Sequence, residues 1–482
     1  MDVRKSMFAA LRLPTRPALS PKQVYTASLA WLFVVAITCV ALQAPGQISM
    51  DSSIQLYEAA TGHSISWFSP FMSALLAWLG GGLVATSLFV ALNVICIYGS
   101  FGLLLIALLL RSNQSDKKIS PLAAIVTIAA ISNPVIFLYA GIIWKDVLFG
   151  SEIVVASTLL LLSALFRNRA LKYLLCGIAI IAMSSALLTR QQGMIVSPLL
   201  VVSLAIAMSS HPSRLRSILK WTLILGTAFF LTAIIESALV TATIRGGGAR
   251  DTSVGFNDIL NYDISGIVYL SSNKARASEP EASIPDDVKV AIVKTYSKYR
   301  IDFLMDDPIV GKWFNEMPWS KKLNLWEAML IAHPRLYAIN RIHIFLALLD
   351  AYDINKCLPV HVGISGNKQY LKGLNIAGGT SVRAQLLYTA FTHIRGFLFY
   401  RHWFYVLLMC GALVILRVSR AEAKLRIILA CISIVALVFV ATFIPTSIAC
   451  DYRYLFAIIP LASLVFIALA NLRILNMFES GT

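Results

Sequence analysis

Seven ionisable side chains occupy four short polar segments between long apolar stretches of the sequence. Carboxylates in such positions could act as a general base or bind a hard cation. Arginine and lysine could bind phosphate oxygens. Ionisable groups beside a membrane are costly and usually functional, which makes these side chains the first candidates for a site. They are Asp51, Glu58, Lys145, Asp146, Arg190, Asp451 and Arg453.

The first polar segment holds two carboxylates at helical spacing. If the segment is a helix, positions 51, 55 and 58 share one face, so Asp51 and Glu58 could point into the same cleft as candidate catalytic residues. An aspartate before a short helix is also a common N-cap, and the residues alone leave this structural alternative open. His63 ends the segment and is a candidate substrate-binding residue.

The other three segments hold basic residues that could bind an anion. Lys145 could hold a phosphate, be neutralised by Asp146, or extend its ammonium toward water. Arg190 and Arg453 are each a lone arginine in a short turn, and Tyr452 beside Arg453 is a further candidate for substrate binding. Any one cation could be structural, but three beside a carboxylate indicate a site for an anionic, membrane-embedded substrate.

Membrane spans must position these residues. The 482 residues are 58% hydrophobic and 13% charged, with a mean hydropathy of +0.75. Soluble domains are only about 45–50% apolar and about 25% charged, so a soluble globular enzyme is excluded. The sequence predicts an all-α polytopic membrane protein with about ten transmembrane helices. The predicted spans are about 23–43, 84–110, 119–138, 147–166, 173–189, 194–210, 221–243, 403–417, 427–445 and 455–471.

The basic residues also predict the orientation of the chain, whose net charge is +17. With the N-terminus inside, the inner segments hold 19 lysines and arginines, whereas the short outer connections hold only Lys145, Arg190 and Arg453. The positive-inside rule therefore predicts cytoplasmic termini and a candidate site on the outer face of the membrane. The excess positive charge reflects topology, and we expect no nucleic-acid partner.

The distribution of polar residues predicts three domains. Residues 1–243 form an N-terminal transmembrane module that includes the loop with Asp51, and residues 402–482 form a C-terminal transmembrane module. Residues 244–401 form a polar extracytoplasmic region with amphipathic helices near 285–303 and 320–350. A long translocated region of this kind does not follow the charge rule.

The cysteines favour thiols in the membrane core. Five of the seven lie in predicted spans, and only Cys357 and Cys450 could face an oxidising compartment. A disulfide between these two is an alternative, but free thiols are the preferred interpretation. No paired-cysteine spacing typical of a metal site is present.

The order of the polar motifs resembles that of the GT-C superfamily of membrane glycosyltransferases. Asp51 follows the first span in a "D…QLYEA" setting, and the stretch from Trp67 to Pro70 is similar to the Trp-His-Pro-Pro of many bacterial members. "IWKD", "TRQQG" and "DYRYLF" then follow in family order, and the long outer segment contributes Trp326-Glu327 and His333-Pro334-Arg335. Phe68 and Ser69 depart from the pattern, because many members have His and Pro there.

This resemblance implies an activity, a set of partners and residue roles. A sugar would pass from a polyprenyl-phosphate donor, such as an undecaprenyl-phosphate sugar, to a glycan or glycolipid acceptor of the envelope, such as O-antigen or lipid A. Asp51 would be the catalytic carboxylate, with Glu58 and His63 in secondary roles. Lys145, Arg190 and Arg453 would hold the donor phosphate. A divalent cation, Mg²⁺ or Mn²⁺, is a candidate cofactor that no motif requires.

Two other functions fit this class of sequence. A polymerase of O-antigen or another envelope polysaccharide would place its functional arginines in the large outer loop, where Arg335, Arg341 and Arg383 are the candidates. A flippase or transporter of lipid-linked sugars would carry charged residues at mid-membrane and often repeat its halves. The sequence shows no such repeat.

Overall fold

The computed structural model describes residues 19–112, 119–209, 215–246, 254–272, 279–419 and 422–471. Across these ranges the chain is an all-α polytopic membrane protein. Eight helical segments are long and apolar enough to cross a membrane, and two shorter apolar helices, at 193–208 and 402–418, complete the ten predicted spans. The cytoplasmic placement of the termini stays a prediction, since residues 1–18 and 472–482 lie outside the described ranges.

The first half of the chain is a set of apolar helices with two short polar insertions. In chain order its elements are α1 (Pro21–Gln43), α2 (Met50–Thr61), β1 (His63–Ser64), α3 (Pro70–Trp78), α4 (Gly82–Ser112), α5 (Pro121–Ile131), α6 (Pro134–Tyr139), α7 (Lys145–Leu165), α8 (Arg169–Thr189), α9 (Gly193–Met208), α10 (Leu215–Thr243) and β2 (Arg245–Gly246).

In the described part of the segment between α10 and the last spans, no helix is both long and apolar enough to cross a membrane. The helices of this segment are α11 (Val254–Ser271), α12 (Glu279–Ala282), α13 (Asp286–Thr295), α14 (Asp302–Met305), α15 (Pro308–Glu316), α16 (Trp319–Ala332), α17 (Pro334–Leu348), α18 (Lys368–Gly373) and α19 (Val382–Ile394). The chain ends with α20 (His402–Val418), α21 (Ala423–Ala441), α22 (Phe443–Thr446) and α23 (Ile458–Asn471). The division into three domains at 243 and 401 stays a prediction.

Local sequence explains where several helices begin and end. Pro70 and Pro121 occupy first turns, where the missing N–H is no loss, and serine hydroxyls just before them accept backbone N–H groups. Gly62 ends α2 with a φ of 70°, a backbone conformation that suits glycine. The next two residues form β1, which pairs in parallel with β2, so the end of α2 is joined to the exit of α10.

The main core is centred on α7 and α23, the most buried of the candidate spans. Helix α7 packs against α4, α8, α9, α21 and α23. Lys145 and Asp146 begin α7, and a 3₁₀ turn at Tyr452–Leu455 leads into α23. Two of the candidate cations are therefore placed by the most rigidly packed helices of the bundle.

The helices between α10 and α20, named the outer helices because they are not part of the span bundle, form a second core in which α11 packs against α13, α16 and α17. Arg341 connects this core to the span bundle. Arg341 Nε lies 2.7 Å from Asp263 Oδ1, and Arg341 Nη1 donates to the carbonyl of Ser447 at 2.8 Å. The outer helices are thus tied to the loop that precedes Arg453.

Candidate active site at one end of the helix bundle

The segment around Asp51 is held in place by hydrogen bonds to the start of α7. Ser49 is the N-cap of α2 and forms a capping box with Ser52, so the cap role does not fall to Asp51. Trp144 Nε1 donates to Ser49 Oγ at 2.8 Å, and Ser52 Oγ donates to the carbonyl of Ile143. Asp51 and Lys145 therefore belong to segments that are fixed against each other.

Arg453 is the centre of the cluster, because its guanidinium faces three carboxylates from three parts of the chain. Nη1 lies 2.6 Å from Asp51 Oδ2, Nη2 lies 3.2 Å from Asp451 Oδ2, and Nε lies 3.7 Å from Asp146 Oδ2. The guanidinium also lies 4.9 Å from the centre of the Trp144 ring. Charge-assisted hydrogen bonds of this kind are strong, and they also fix the orientation of the guanidinium.

Asp146 links Arg453 to Arg190 from a fully buried position. One of its oxygens contacts Arg190 Nη1, and the other faces Arg453. Arg190 Nε also donates to Gln192 at 2.8 Å, and its Nη1 donates to the carbonyl of Tyr454 at 3.2 Å. The direct ion pairs of Asp146 are with the two arginines, and Asp146 forms none with Lys145.

Lys145 lies against aromatic rings rather than against a carboxylate. Its ammonium lies over the rings of Phe68 and Trp67, at 4.5 and 5.3 Å from their centres, and forms no ion pair within the described residues.

Glu58 shapes the loop that carries the rings of Trp67 and Phe68. Its carboxylate accepts from Ser66 N at 2.9 Å and from Ser73 Oγ at 2.6 Å. These contacts favour a positioning role for Glu58 over the predicted catalytic role.

His63 and Tyr452 are not brought to the surface of the cluster. His63 is exposed at the far end of α2, about 18 Å from Asp51 at 1.5 Å per residue, where it pairs with Arg245 in the two-stranded sheet. The Tyr452 ring is fully buried against His402 and Tyr400, at 4.0 and 4.9 Å between ring centres. Tyr452 packs beneath the site, and the assignment of both residues to substrate binding stays a prediction.

Two members of the cluster were missed in the sequence. Arg300 Nη2 donates to Asp451 Oδ1 at 2.6 Å, and His361 Nε2 bonds to the carbonyl of Ile48 at 2.9 Å beside Trp144. Burial lowers the pKa of His361, although its bond to Ile48 acts in the opposite direction. No motif surrounds either residue, so no local signal in the long polar segment could have found them.

A disulfide joins Cys357 to Cys450, with 4.9 Å between the Cα atoms. The preference for free thiols at these positions is therefore wrong. Cys450 lies directly before Asp451, and its N–H donates to the carbonyl of Tyr299 at 2.8 Å. The disulfide fastens the turn with Asp451 and Arg453 to the outer helices. Because the two cysteines are 93 residues apart, the sequence does not reveal this contact.

The carboxylates of the cluster are paired with arginines rather than grouped as metal ligands. Within the described ranges, no three or more His, Cys, Asp or Glu side chains come together in a way that could hold a metal ion.

The bundle and its site define a polytopic membrane protein with a charged cluster where several spans end. No family model matches the chain, and no curated protein matches it. A solved structure of ArnT from Cupriavidus metallidurans in the apo state is similar, with a TM-score of 0.33 and 13% identity, over 93% of this chain and 78% of that one. A likeness at this level assigns neither a family nor a function.

Proposed function

We propose that this protein is a GT-C-type membrane glycosyltransferase that moves a sugar from a polyprenyl-phosphate donor to an envelope glycan or glycolipid. The observation that supports it is the contact of Arg453 with Asp51, at 2.6 Å, in a cluster that also contains Lys145 and Arg190. A base for the acceptor and cations for a phosphate leaving group are the two requirements of this transfer.

The charges of the cluster fit a phosphate that arrives from the membrane. The positive charges of Lys145, Arg190, Arg300 and Arg453 stand against the negative charges of Asp51, Asp146 and Asp451. Asp146 is fully buried between the arginines and holds their geometry, so it cannot leave. Asp51 is the more exposed partner, with 27% of its side chain accessible, and a donor phosphate would displace it from Arg453.

This exchange would prepare the base at the moment the donor binds. The acceptor oxygen forms a bond to the anomeric carbon while the bond from that carbon to the phosphate oxygen breaks. The acceptor proton passes to Asp51, which the phosphate has released from its ion pair. The bonding electrons leave with the polyprenyl phosphate, whose charge is stabilised by Lys145 and Arg453.

Two of the three arginines of the polymerase alternative have structural partners. Arg341 is buried in its ion pair with Asp263, and Arg383 Nη1 donates to the carbonyl of Ala41 at the end of α1, at 2.9 Å. Arg335 is exposed on α17. These contacts favour the transferase over a polymerase that works through its outer loop.

The disulfide supports a site on the outer face of the membrane. Disulfides persist in oxidising compartments such as the bacterial periplasm and are rare in the cytosol. Cys450 is adjacent to Asp451, so the compartment that favours the Cys357–Cys450 bond is also the one that the cluster faces. A periplasmic active site and cytoplasmic termini follow as part of the proposal.

The proposal is tested with the full chain in lipid nanodiscs, a panel of polyprenyl-phosphate sugars and envelope glycolipid acceptors. We expect release of polyprenyl phosphate and labelling of an acceptor, both lost in Asp51→Asn. Asp286→Asn is the matched control, because Asp286 pairs with Lys289 at the surface with 97% of its side chain exposed. No release with any donor would overturn the proposal.

A divalent cation is a candidate cofactor of the same reaction. If Mg²⁺ or Mn²⁺ takes part, EDTA should abolish transfer and either ion should restore it. Unchanged transfer in EDTA would remove the cation from the proposal.

A further inference from the structure

The positive charge of the long outer segment is concentrated in its last third. Residues 244–353 carry 13 lysines and arginines against 14 acidic residues, whereas residues 354–401 carry six and none. The six are Lys356, Lys368, Lys372, Arg383, Arg395 and Arg401. A concentration of lysines and arginines of this kind attracts anions.

Two of these cations border a cavity of about 570 Å³, which is within the range of small-molecule sites. Its walls are residues 364–372 and 376–379. Ile364 and Gly379 hold the two walls together through reciprocal backbone hydrogen bonds, both 2.9 Å long. Lys368 and Lys372 lie one turn apart on α18, are exposed, and form no ion pair with any carboxylate in the described ranges.

The cavity is built directly onto the helix that carries Asp51. Ser365 N donates to the carbonyl of Ile48 at 2.8 Å, and Asn367 N donates to Ser53 Oγ at 3.1 Å. These bonds are made on both sides of Asp51 in the sequence. Tyr370 of α18 also stacks on Tyr57 of α2, with 4.6 Å between the ring centres.

The donor phosphate of the proposed function already has its own cations, at Lys145, Arg190 and Arg453. Lys368 and Lys372 form a second group of cations, on a segment that hydrogen-bonds to residues on both sides of Asp51 in the sequence, and a second group of cations calls for a second anion. In a transfer reaction the second substrate is the acceptor.

We propose that the cavity between residues 364–372 and 376–379 binds a phosphate group of the acceptor sugar, through Lys368 and Lys372. The acceptor is therefore a phosphorylated glycan or glycolipid rather than a neutral one. The identification of this ligand as the acceptor rests on the proposed function. The preference of the cavity for a sugar phosphate is measured by binding alone, without a transfer reaction.

The test uses the full chain in phosphatidylcholine nanodiscs and two soluble probes, N,N′-diacetylchitobiose 1-phosphate and N,N′-diacetylchitobiose. We expect the phosphorylated disaccharide to bind at least about tenfold more tightly, since charge-assisted bonds to phosphate are roughly twice as strong as neutral ones. Lys368→Gln/Lys372→Gln should remove that preference, and Lys368→Arg/Lys372→Arg should restore it. Lys312→Gln/Lys321→Gln removes two exposed lysines of α15 and α16 and should leave the preference intact.

Equal binding of the two disaccharides, or unchanged preference in the glutamine variant, overturns the inference. A second arm adds phosphatidylglycerol to the nanodiscs. If Lys368 and Lys372 enrich that lipid around the protein while the sugar phosphate does not bind, the cavity serves membrane headgroups and the inference is wrong. The binding arms stand apart from the donor-release assay, so a failed transfer reaction and a failed cavity give different results.

Discussion

Arg453 Nη1 lies 2.6 Å from Asp51 Oδ2, so a turn before the last helix contacts the helix that follows the first span. The pair is partly accessible, with 15% of the Arg453 side chain and 27% of the Asp51 side chain exposed. Asp146 and Asp451 face the Nε and Nη2 atoms of the same guanidinium. The arginine is therefore fixed while its most exposed partner can be exchanged for a phosphate.

Arg453→Lys should raise the KM for the donor and lower kcat, although the positive charge is kept. Lysine is a point charge and cannot face Asp51, Asp451 and Asp146 at once.

Asp51→Asn should lower kcat by about 10²–10⁴-fold, the range of a general base, with a smaller change in KM. Steady-state kinetics of donor release measure both. Equal kcat in wild type and Asp51→Asn would exclude Asp51 as the base.

Asp146→Asn should destabilise the protein by about 3–5 kcal/mol, because it leaves the buried positive charge of Arg190 without its closest negative charge. Arg190 has 8% of its side chain exposed and Asp146 has none. The exposed pair of Asp286 and Lys289 is the control, and Asp286→Asn should cost less than about 1 kcal/mol. Thermal unfolding in detergent measures the difference. Equal midpoints for the two variants would contradict a structural ion pair at Asp146.

Cys357→Ala/Cys450→Ala should lower both stability and transfer. Loss of a disulfide that closes a sequence separation of 93 residues costs about 4.6 kcal/mol in the chain-entropy model, and the turn with Arg453 loses its link to the outer helices. Cys410→Ala, at an exposed free thiol, should change neither. A reducing agent should act on wild type and Cys410→Ala and leave the double variant unaffected. A reductant-insensitive wild type would contradict the bond.

The sequence was sufficient to predict the spans and the polar segments at one end of them. The length and hydropathy of an apolar run depend only on local composition, and the four segments with ionisable residues are easily recognised between such runs. Arg300 and His361 could not be predicted, because their places beside Asp451 and Ile48 depend on how the long polar segment folds back. Lys145 and Asp146 are neighbours in sequence, yet their partners differ, since only the packing of α7 decides which side each faces.

The disulfide and the role of Glu58 show the same limit. Spacing gave no reason to pair Cys357 with Cys450, which meet only through the contact between the outer helices and the turn before α23. Helical periodicity placed Glu58 on the face of Asp51, but the loop after α2 returns and supplies the hydrogen bonds of Glu58.

His361 should make the stability of the protein fall as the pH drops below about 6.5, the ordinary pKa of histidine. Its pKa is lowered in the folded state, so below that pH the unfolded chain binds more protons and gains in relative free energy. His361→Gln keeps an N–H for the Ile48 carbonyl and cannot titrate. Unfolding midpoints between pH 7.5 and 5 should fall more steeply for wild type than for His361→Gln. Parallel curves would show that this histidine is not perturbed.

Gly366→Ala should displace α2 and reduce transfer, because glycine is required where the cavity wall meets that helix. A methyl group at position 366 would lie 2.5 Å from Ser53 Cβ and Oγ, closer than real side chains approach. Overpacking of this kind costs about 1–3 kcal/mol. Gly366→Ala/Ser53→Gly removes the clash and should recover part of the loss in unfolding midpoint and in donor release, since it also removes the hydrogen bond from Asn367 N to Ser53 Oγ.

Gly396→Ala is the matched control for this series, since a methyl group there would meet no atom of the described chain within 4 Å. If Gly366→Ala and Gly396→Ala behaved alike, the wall of the cavity would not be pressed against α2, and the placement of Asp51 would be independent of residues 364–372. If only Gly366→Ala loses activity and Ser53→Gly restores it, the acceptor cavity and the candidate base are positioned by one and the same contact.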